Sequence, residues 1–245
     1  MKVISMFVSR QQKIIIILLV FYWPTIFILA HMPIPNLIRE AEVSDKGIHF
    51  LAYLILTFLL WFAINPNKKV NWREAGAWWI LLMVVLYGVL DEVLQSFVQG
   101  RSCDIRDFYV DLIGTLLALI MLSIFTFWPC CLIVTGVTIF GLTNIASVNV
   151  ADFLPIANIT FHFFAYVFFT LLWVQYLCSF SKFVASKPKW LIEALILPIG
   201  FLLAVKLGSL ILGRSFTLLG VIASAAGIAA AVGIISVITL LHKPH

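Results

Sequence analysis

Charge is what this chain has least of. Only 11% of its 245 residues are Asp, Glu, Lys or Arg, against 63% hydrophobic residues, whereas soluble domains carry roughly 25% charged residues. A soluble globular domain is excluded. Short segments of alternating polar and apolar residues are also missing, which excludes a transmembrane barrel. Cysteine is sparse, with four residues: Cys103, Cys130, Cys131 and Cys178. Their positions offer no second outer cysteine to pair with Cys103 and no metal-type spacing, so they read as small apolar fillers. There is no nucleophile motif and no compact H-E-x-x-H string. The net charge of +5 reports orientation in a membrane, so a nucleic-acid partner has no support.

What is present is a series of apolar runs, each long enough to cross a ~30 Å hydrocarbon core as a helix. Helices are the spanning structure left once barrels are excluded. The runs predict an all-α, polytopic bundle with eight spans at roughly 14–31, 48–65, 76–97, 107–127, 130–147, 160–180, 190–212 and 216–241. A break at Trp128-Pro129 separates the fourth span from the fifth. The first span follows basic residues, as a signal peptide would, but its apolar run is longer and is expected to stay as an anchor. Placing the N-terminus in the cytoplasm puts ten basic residues inside: Lys2, Arg10, Lys13, Lys68, Lys69, Arg73, Lys182, Lys187, Lys189 and Lys243. Five then lie outside, Arg39, Lys46, Arg101, Arg106 and Arg214. That balance predicts a multi-pass protein of the cytoplasmic membrane with both termini in the cytoplasm.

Against this background, five of the eleven acidic residues fall in one stretch, DEVLQSFVQGRSCDIRDFYVD. A carboxylate at the edge of hydrocarbon is costly unless paired, hydrated or used. Helical spacing puts Glu92 and Gln95 on one face, Asp107 and Asp111 on another, and His49 and Tyr53 on a third, each at the outer end of its span. The expected result is a pocket opening outward, lined by Glu92, Gln95, Arg101, Asp107, Asp111, His49 and Tyr53. Simpler roles compete at several positions. Asp104 and Asp107 suit an N-cap and a first helical turn, Arg101 an interfacial anchor, and His49 with Tyr53 interhelical packing.

The chain also echoes itself. His49-Phe50-Leu51-Ala52-Tyr53 returns as His162-Phe163-Phe164-Ala165-Tyr166, and Gly100-Arg101-Ser102 as Gly213-Arg214-Ser215. Gly114 pairs with Gly227 and Ala118 with Ala231, all at the 113-residue offset that separates His49 from His162. The pattern predicts two parallel four-helix repeats, residues 14–127 and 128–243. The second has lost the carboxylates: Asp91, Glu92, Asp107 and Asp111 become Ala204, Val205, Gly220 and Ser224.

The string Asp45-Lys46…His49-Phe50…Tyr53, then Glu92…Gln95-Ser96-Phe97…Gly100-Arg101…Asp107…Asp111…Gly114, resembles the VanZ-like membrane family. That family is named for an accessory protein of glycopeptide resistance linked to teicoplanin. The resemblance covers Asp45 to Ala118. In that family a proline commonly precedes the Gly-Arg pair, where this chain has Gln99, and an Asn is usual where Asp111 stands. It implies an envelope role and adds Lys46 to the binding residues, without supplying an activity. Three function classes stay open. The first is a non-enzymatic protein whose cleft binds a lipid head group or a cationic peptidic antibiotic. The second is an enzyme on a lipid-linked envelope precursor, with Glu92 as base, His49 as proton relay, Asp107 as a further catalytic candidate and Arg101 clamping a phosphate. The third is a lipid transporter or flippase. A metal ion held by Glu92, Asp107, Asp111 and His49 is compatible with the ligand types. No cofactor is specified.

Overall fold

The computed structural model describes residues 9–33, 40, 42–66, 68–101, 103–146, 154–180 and 189–241. Lys2, Arg39, Ser102, Lys182, Lys187 and Lys243, used above for orientation and repeat, lie outside the described residues. The described residues form eight α-helices: α1 (Arg10–Ala30), α2 (Asp45–Ile64), α3 (Ala75–Gln95), α4 (Ile105–Ile124), α5 (Phe127–Asn144), α6 (Pro155–Phe180), α7 (Trp190–Ile211) and α8 (Leu218–Leu241). They contain no strand, only an isolated bridge between Val43 and Ala146. All eight helices are long and apolar enough to cross a membrane. The 20 residues of α2 span about 30 Å at 1.5 Å per residue, the thickness of a hydrocarbon core.

The expected break at Trp128-Pro129 lies three residues earlier. α4 ends at Ile124, and Phe127, Trp128 and Pro129 form the first turn of α5. Proline is tolerated there because its missing N–H would be unsatisfied in any case. The same logic extends the sixth span back to Pro155, five residues before the predicted start. Lys69 Nζ, at 2.6 Å from the Ile124 carbonyl, and the Val70 N–H, at 3.0 Å from the Leu122 carbonyl, cover the end of α4.

The chain divides into two compact units, Met1–Pro35 with Asp45–Cys130, and Asn36–Ser44 with Cys131–His245. In the first, α2 is the central helix and packs most extensively on α4. Nearly every side chain of α2 from Leu51 to Phe62 is buried. α1 is peripheral, with Ile15 its one buried residue, and Phe21 stands 71% exposed. In water such a face would be a liability, and in lipid it faces its natural solvent. The α2–α4 contact is close because Gly114 faces the α2 backbone: a Cβ there would lie 2.6 Å from the Phe50 carbonyl oxygen. Small residues at helix crossings let backbones approach in this way within membranes.

In the second unit α6 packs on α8. Its core gathers Leu132, Ile139, Tyr166, Phe169, Leu202 and Ile228. Gly227 meets the Phe163 carbonyl as Gly114 meets that of Phe50. Gly100 and Gly213 both adopt left-handed backbone, with φ of 83° and 67°, which glycine accommodates without a Cβ penalty.

Candidate functional site

The site is built at one end of the first unit, where α2 and α4 begin and α1 and α3 finish. α2 brings Asp45, Lys46, His49 and Tyr53, α3 brings Asp91, Glu92 and Gln95, and α4 brings Asp107 and Asp111. Asp104 caps α4, accepting from the Arg106 N–H at 2.9 Å. Glu92 Oε2 accepts from the Asp104 N–H at 3.0 Å, so a carboxylate from α3 covers another free amide at the start of α4.

At the centre, His49 Nδ1 lies 3.0 Å from Asp111 Oδ1, with both residues buried. Toward the surface, Lys46 Nζ bridges Asp107 Oδ1 at 3.2 Å and Asp104 Oδ2 at 3.4 Å. Gln95 Nε2 donates to Asp91 Oδ2 at 2.8 Å, one helical turn back. The outermost acid, Asp104, is held below the usual carboxylate range by the Arg106 backbone N–H and then by Lys46.

Four buried carboxylate oxygens here have no hydrogen-bond partner among the described residues: Asp91 Oδ1 and Asp107 Oδ1, which lie near His31 and Lys46, and Glu92 Oε1 and Asp111 Oδ2, which have no ion-pair partner among them either. The gap beside Asp111, lined by Tyr53, Gly88, Phe108 and Thr115, has no room for a water molecule. One ligand atom each from His49, Glu92 and Asp111 lies within 4.8 Å of the other two, and Asp45, His49 and Asp107 form a second such group. Nitrogen and carboxylate donors together suit a divalent transition ion. Asp45, Asp91, Glu92, Asp104, Asp107 and Asp111 share this end with the permanent cations Lys46, Arg101 and Arg106. The surplus of acid must be neutralised by protons or by a cation.

The structure therefore brings His49, Glu92, Asp107, Asp111 and Lys46 together. Gln95 serves Asp91, a residue left out of the expected lining. Tyr53 sits one turn deeper, its ring centroid 5.8 Å from that of Tyr87 and its hydroxyl buried without a partner. Arg101 turns elsewhere. Its guanidinium donates to the carbonyls of Met32 at 3.2 Å and Leu29 at 3.3 Å, and pairs with Asp45 at 3.5 Å. It thereby covers the C-terminal carbonyls of α1. His31, which sequence reasoning passed over at the end of the first span, lies 3.8 Å from Asp91. The i, i+4 spacing of Asp91 and Gln95 was the available signal for Asp91. None existed for His31, whose approach depends on how α1 packs.

Comparison with known proteins gives a match to the VanZ/LLP1 family over residues 4–126. An uncharacterized protein of Schizosaccharomyces pombe is similar, 30% identical over 79 residues. That alignment takes in 32% of this chain and 46% of the yeast protein, so the chain spans less than half the length of that relative. No solved structure matches the chain.

Proposed function

The chain belongs to the VanZ/LLP1 family, and from that premise we propose that it is a multi-pass protein of the cytoplasmic membrane that binds the cationic part of an amphiphile. Both termini lie in the cytoplasm in this reading, and the acid-rich end of the first unit faces outward. The ligand is the amine-bearing head group of a membrane lipid or an envelope-active antibiotic of glycopeptide type, which gives the protein a part in teicoplanin resistance. The observation that carries the reading is the surplus of carboxylates at this end, with Glu92 Oε1 buried and without a hydrogen-bond or ion-pair partner among the described residues. A buried charge without a partner costs several kcal/mol, and a bound ammonium group offsets that cost. A phosphate would be repelled. The fission-yeast relative weighs toward a lipid, a ligand present in membranes generally.

The test uses the full chain in detergent, titrated with phosphatidylethanolamine and phosphatidylglycerol and followed by native mass spectrometry. The expected result is a preference for the amine-bearing lipid that Glu92→Gln and Asp111→Asn remove without lowering the yield of folded protein. A preference that survives both substitutions sinks the proposal.

A second reading draws on the His49, Glu92 and Asp111 group. Here a divalent ion neutralises the carboxylates and presents a positive charge to the phosphate of a lipid-linked precursor, and the protein is an enzyme. Stoichiometric metal in the purified protein, lost in His49→Ala, would favour it.

The two units are, in this account, copies of one ancestral four-helix unit. Left-handed Gly100 and Gly213, and Gly114 and Gly227 pressed on the carbonyls of Phe50 and Phe163, support the duplication. Their special backbone roles recur at the same offset as the sequence echo.

A further inference from the structure

Lys206 is the one Lys or Arg within the helices of the second unit, α5 to α8. It is 8% exposed, and among the described residues it has no hydrogen bond and no carboxylate partner. Its ammonium group faces the ring of Phe216, with Nζ 5.3 Å from the ring centroid, a modest compensation for a desolvated charge. A lysine inside a membrane span with no carboxylate partner among the described residues is by default a functional-site candidate.

Among the described residues, the charged groups that line its cavity are basic. Lys206 lines a cavity of about 340 Å³ together with His162, Arg214, Asn158 and Thr217. His162 is 4% exposed, and its Nδ1 has no hydrogen-bond partner among the described residues. At the equivalent place in the first unit, His49 Nδ1 has Asp111. At the 113-residue offset Asp111 is replaced by Ser224, whose hydroxyl donates to the Gly220 carbonyl of its own helix at 2.8 Å. The imidazole lines the cavity, with Nδ1 itself closed to solvent. Thr217 accepts from the Gly220 N–H at 3.1 Å, so the start of the 24-residue α8, the positive end of its dipole, lies at the same wall. Glu193 is in the first turn of α7, 13 residues from Lys206 and so about 20 Å along the helix. Asp152 lies outside the described residues.

We infer that the second unit carries an oxyanion site, in which Lys206, Arg214 and His162 receive a phosphate-class group. Lys206 supplies a point charge at the floor and Arg214 a planar donor fork at the rim, with His162 as part of the wall. The volume is within the range of small-ligand sites and accepts a phosphate with part of the group it esterifies. This inference concerns different residues from the acid-rich site of the first unit and does not depend on it.

The test uses the full chain in detergent, depleted of lipid. Two probes are titrated separately: inorganic phosphate, and vesicles containing phosphatidylglycerol in phosphatidylcholine. Binding of phosphatidylglycerol that Lys206→Met and Arg214→Gln each weaken by about tenfold or more identifies a lipid phosphate. Binding of inorganic phosphate with the same dependence identifies the free anion. Lys206→Arg should keep most of the affinity, which a purely structural lysine would not require. Lys206→Met should fold at least as well as the parent, since it removes a buried unpaired charge, so size-exclusion profiles separate lost binding from lost folding. Failure of both probes to bind, or binding indifferent to both substitutions, overturns the inference. So does binding that emerges only with Asp152→Asn, because the cavity would then be neutralised from within the chain.

Discussion

Replacing Gly114 with alanine tests the frame on which the first unit's site rests. The new Cβ would stand 2.6 Å from the Phe50 carbonyl oxygen and 3.2 Å from the Leu54 nitrogen, where ordinary contacts begin near 3.4 Å. Backbone atoms cannot rotate away as a side chain can. α4 must therefore withdraw from α2 by roughly 0.8 Å to recover normal contact, or the two helices must change their crossing. Inserting one methyl into a packed crossing costs about 1–3 kcal/mol, and the upper end applies because the obstacle is main chain. The functional consequence is larger than the size of the methyl suggests. Phe50 follows His49 directly, and Gly114 lies three residues beyond Asp111, so the same displacement stretches the 3.0 Å His49–Asp111 contact past hydrogen-bonding range. Reversible unfolding in a denaturing detergent would read the stability, and ligand binding at saturating lipid would read the site. A loss below about 0.5 kcal/mol, typical of a surface substitution, would refute the packing argument. Gly227→Ala, against the Phe163 carbonyl, should destabilise the second unit while sparing binding in the first.

Cys103 and Cys178 are both exposed, and a membrane-impermeant maleimide added to intact cells should modify Cys103 while sparing Cys178; labelling of a Lys68→Cys variant from outside would reverse the proposed topology. Arg101→Ala should cost about 1–3 kcal/mol, because it releases the Leu29 and Met32 carbonyls and Asp45. Arg214→Ala should stay within about 0.5 kcal/mol of the parent, and equal losses in chemical unfolding would contradict the different environments of the two arginines. The folded state holds the Asp104 carboxyl below its ordinary value of 3.8, so ionised Asp104 stabilises above that pH, and the contribution disappears as pH falls through the lower folded value. Asp104→Asn keeps the helix cap, so parent and variant should differ near neutrality and converge in acid, as read by unfolding midpoints against pH. A constant difference would mean that the ion pair with Lys46 is not the source.

The fold was legible because lipid imposes a simple rule on sequence. Every span had to be about 20 apolar residues of helix, and Gly, Pro and charged joints marked the ends closely. The two misplaced starts, at Phe127 and Pro155, share a cause. Proline reads as a breaker in a string of letters but is favoured in a first helical turn. The acid cluster was legible for a similar reason, since charge inside an apolar run needs an explanation. Helical spacing then put Asp107 with Asp111, and His49 with Tyr53, at the same end of the bundle. Partner choice was not legible. Arg101 is flanked by carboxylates in sequence, yet it turns to the end of α1, because its approach depends on where α1 packs. Lys206 was visible as a charge inside a span and was passed over because no motif surrounded it. Its significance depends on an open cavity, which no spacing encodes.

The two units now invite a physical comparison at matched positions. Where Asp111 meets His49, the imidazole is tied within the protein, and the unsatisfied groups beside it are acceptors, Glu92 Oε1 and Asp111 Oδ2. Where Ser224 folds back on its own helix, the imidazole of His162 is released, and its cavity neighbours are donors, Lys206 and Arg214. The residues that shape the backbone, Gly100 with Gly213 and Gly114 with Gly227, have the same role in both units. The charged groups beside the imidazole differ in sign. Had the second unit been kept as scaffold alone, Lys206 would be its most expensive residue, because Leu or Met would fill the same volume without desolvating an ammonium group. A charge with no carboxylate partner among the described residues, beside an open cavity, is better understood as binding energy held for a ligand of opposite sign.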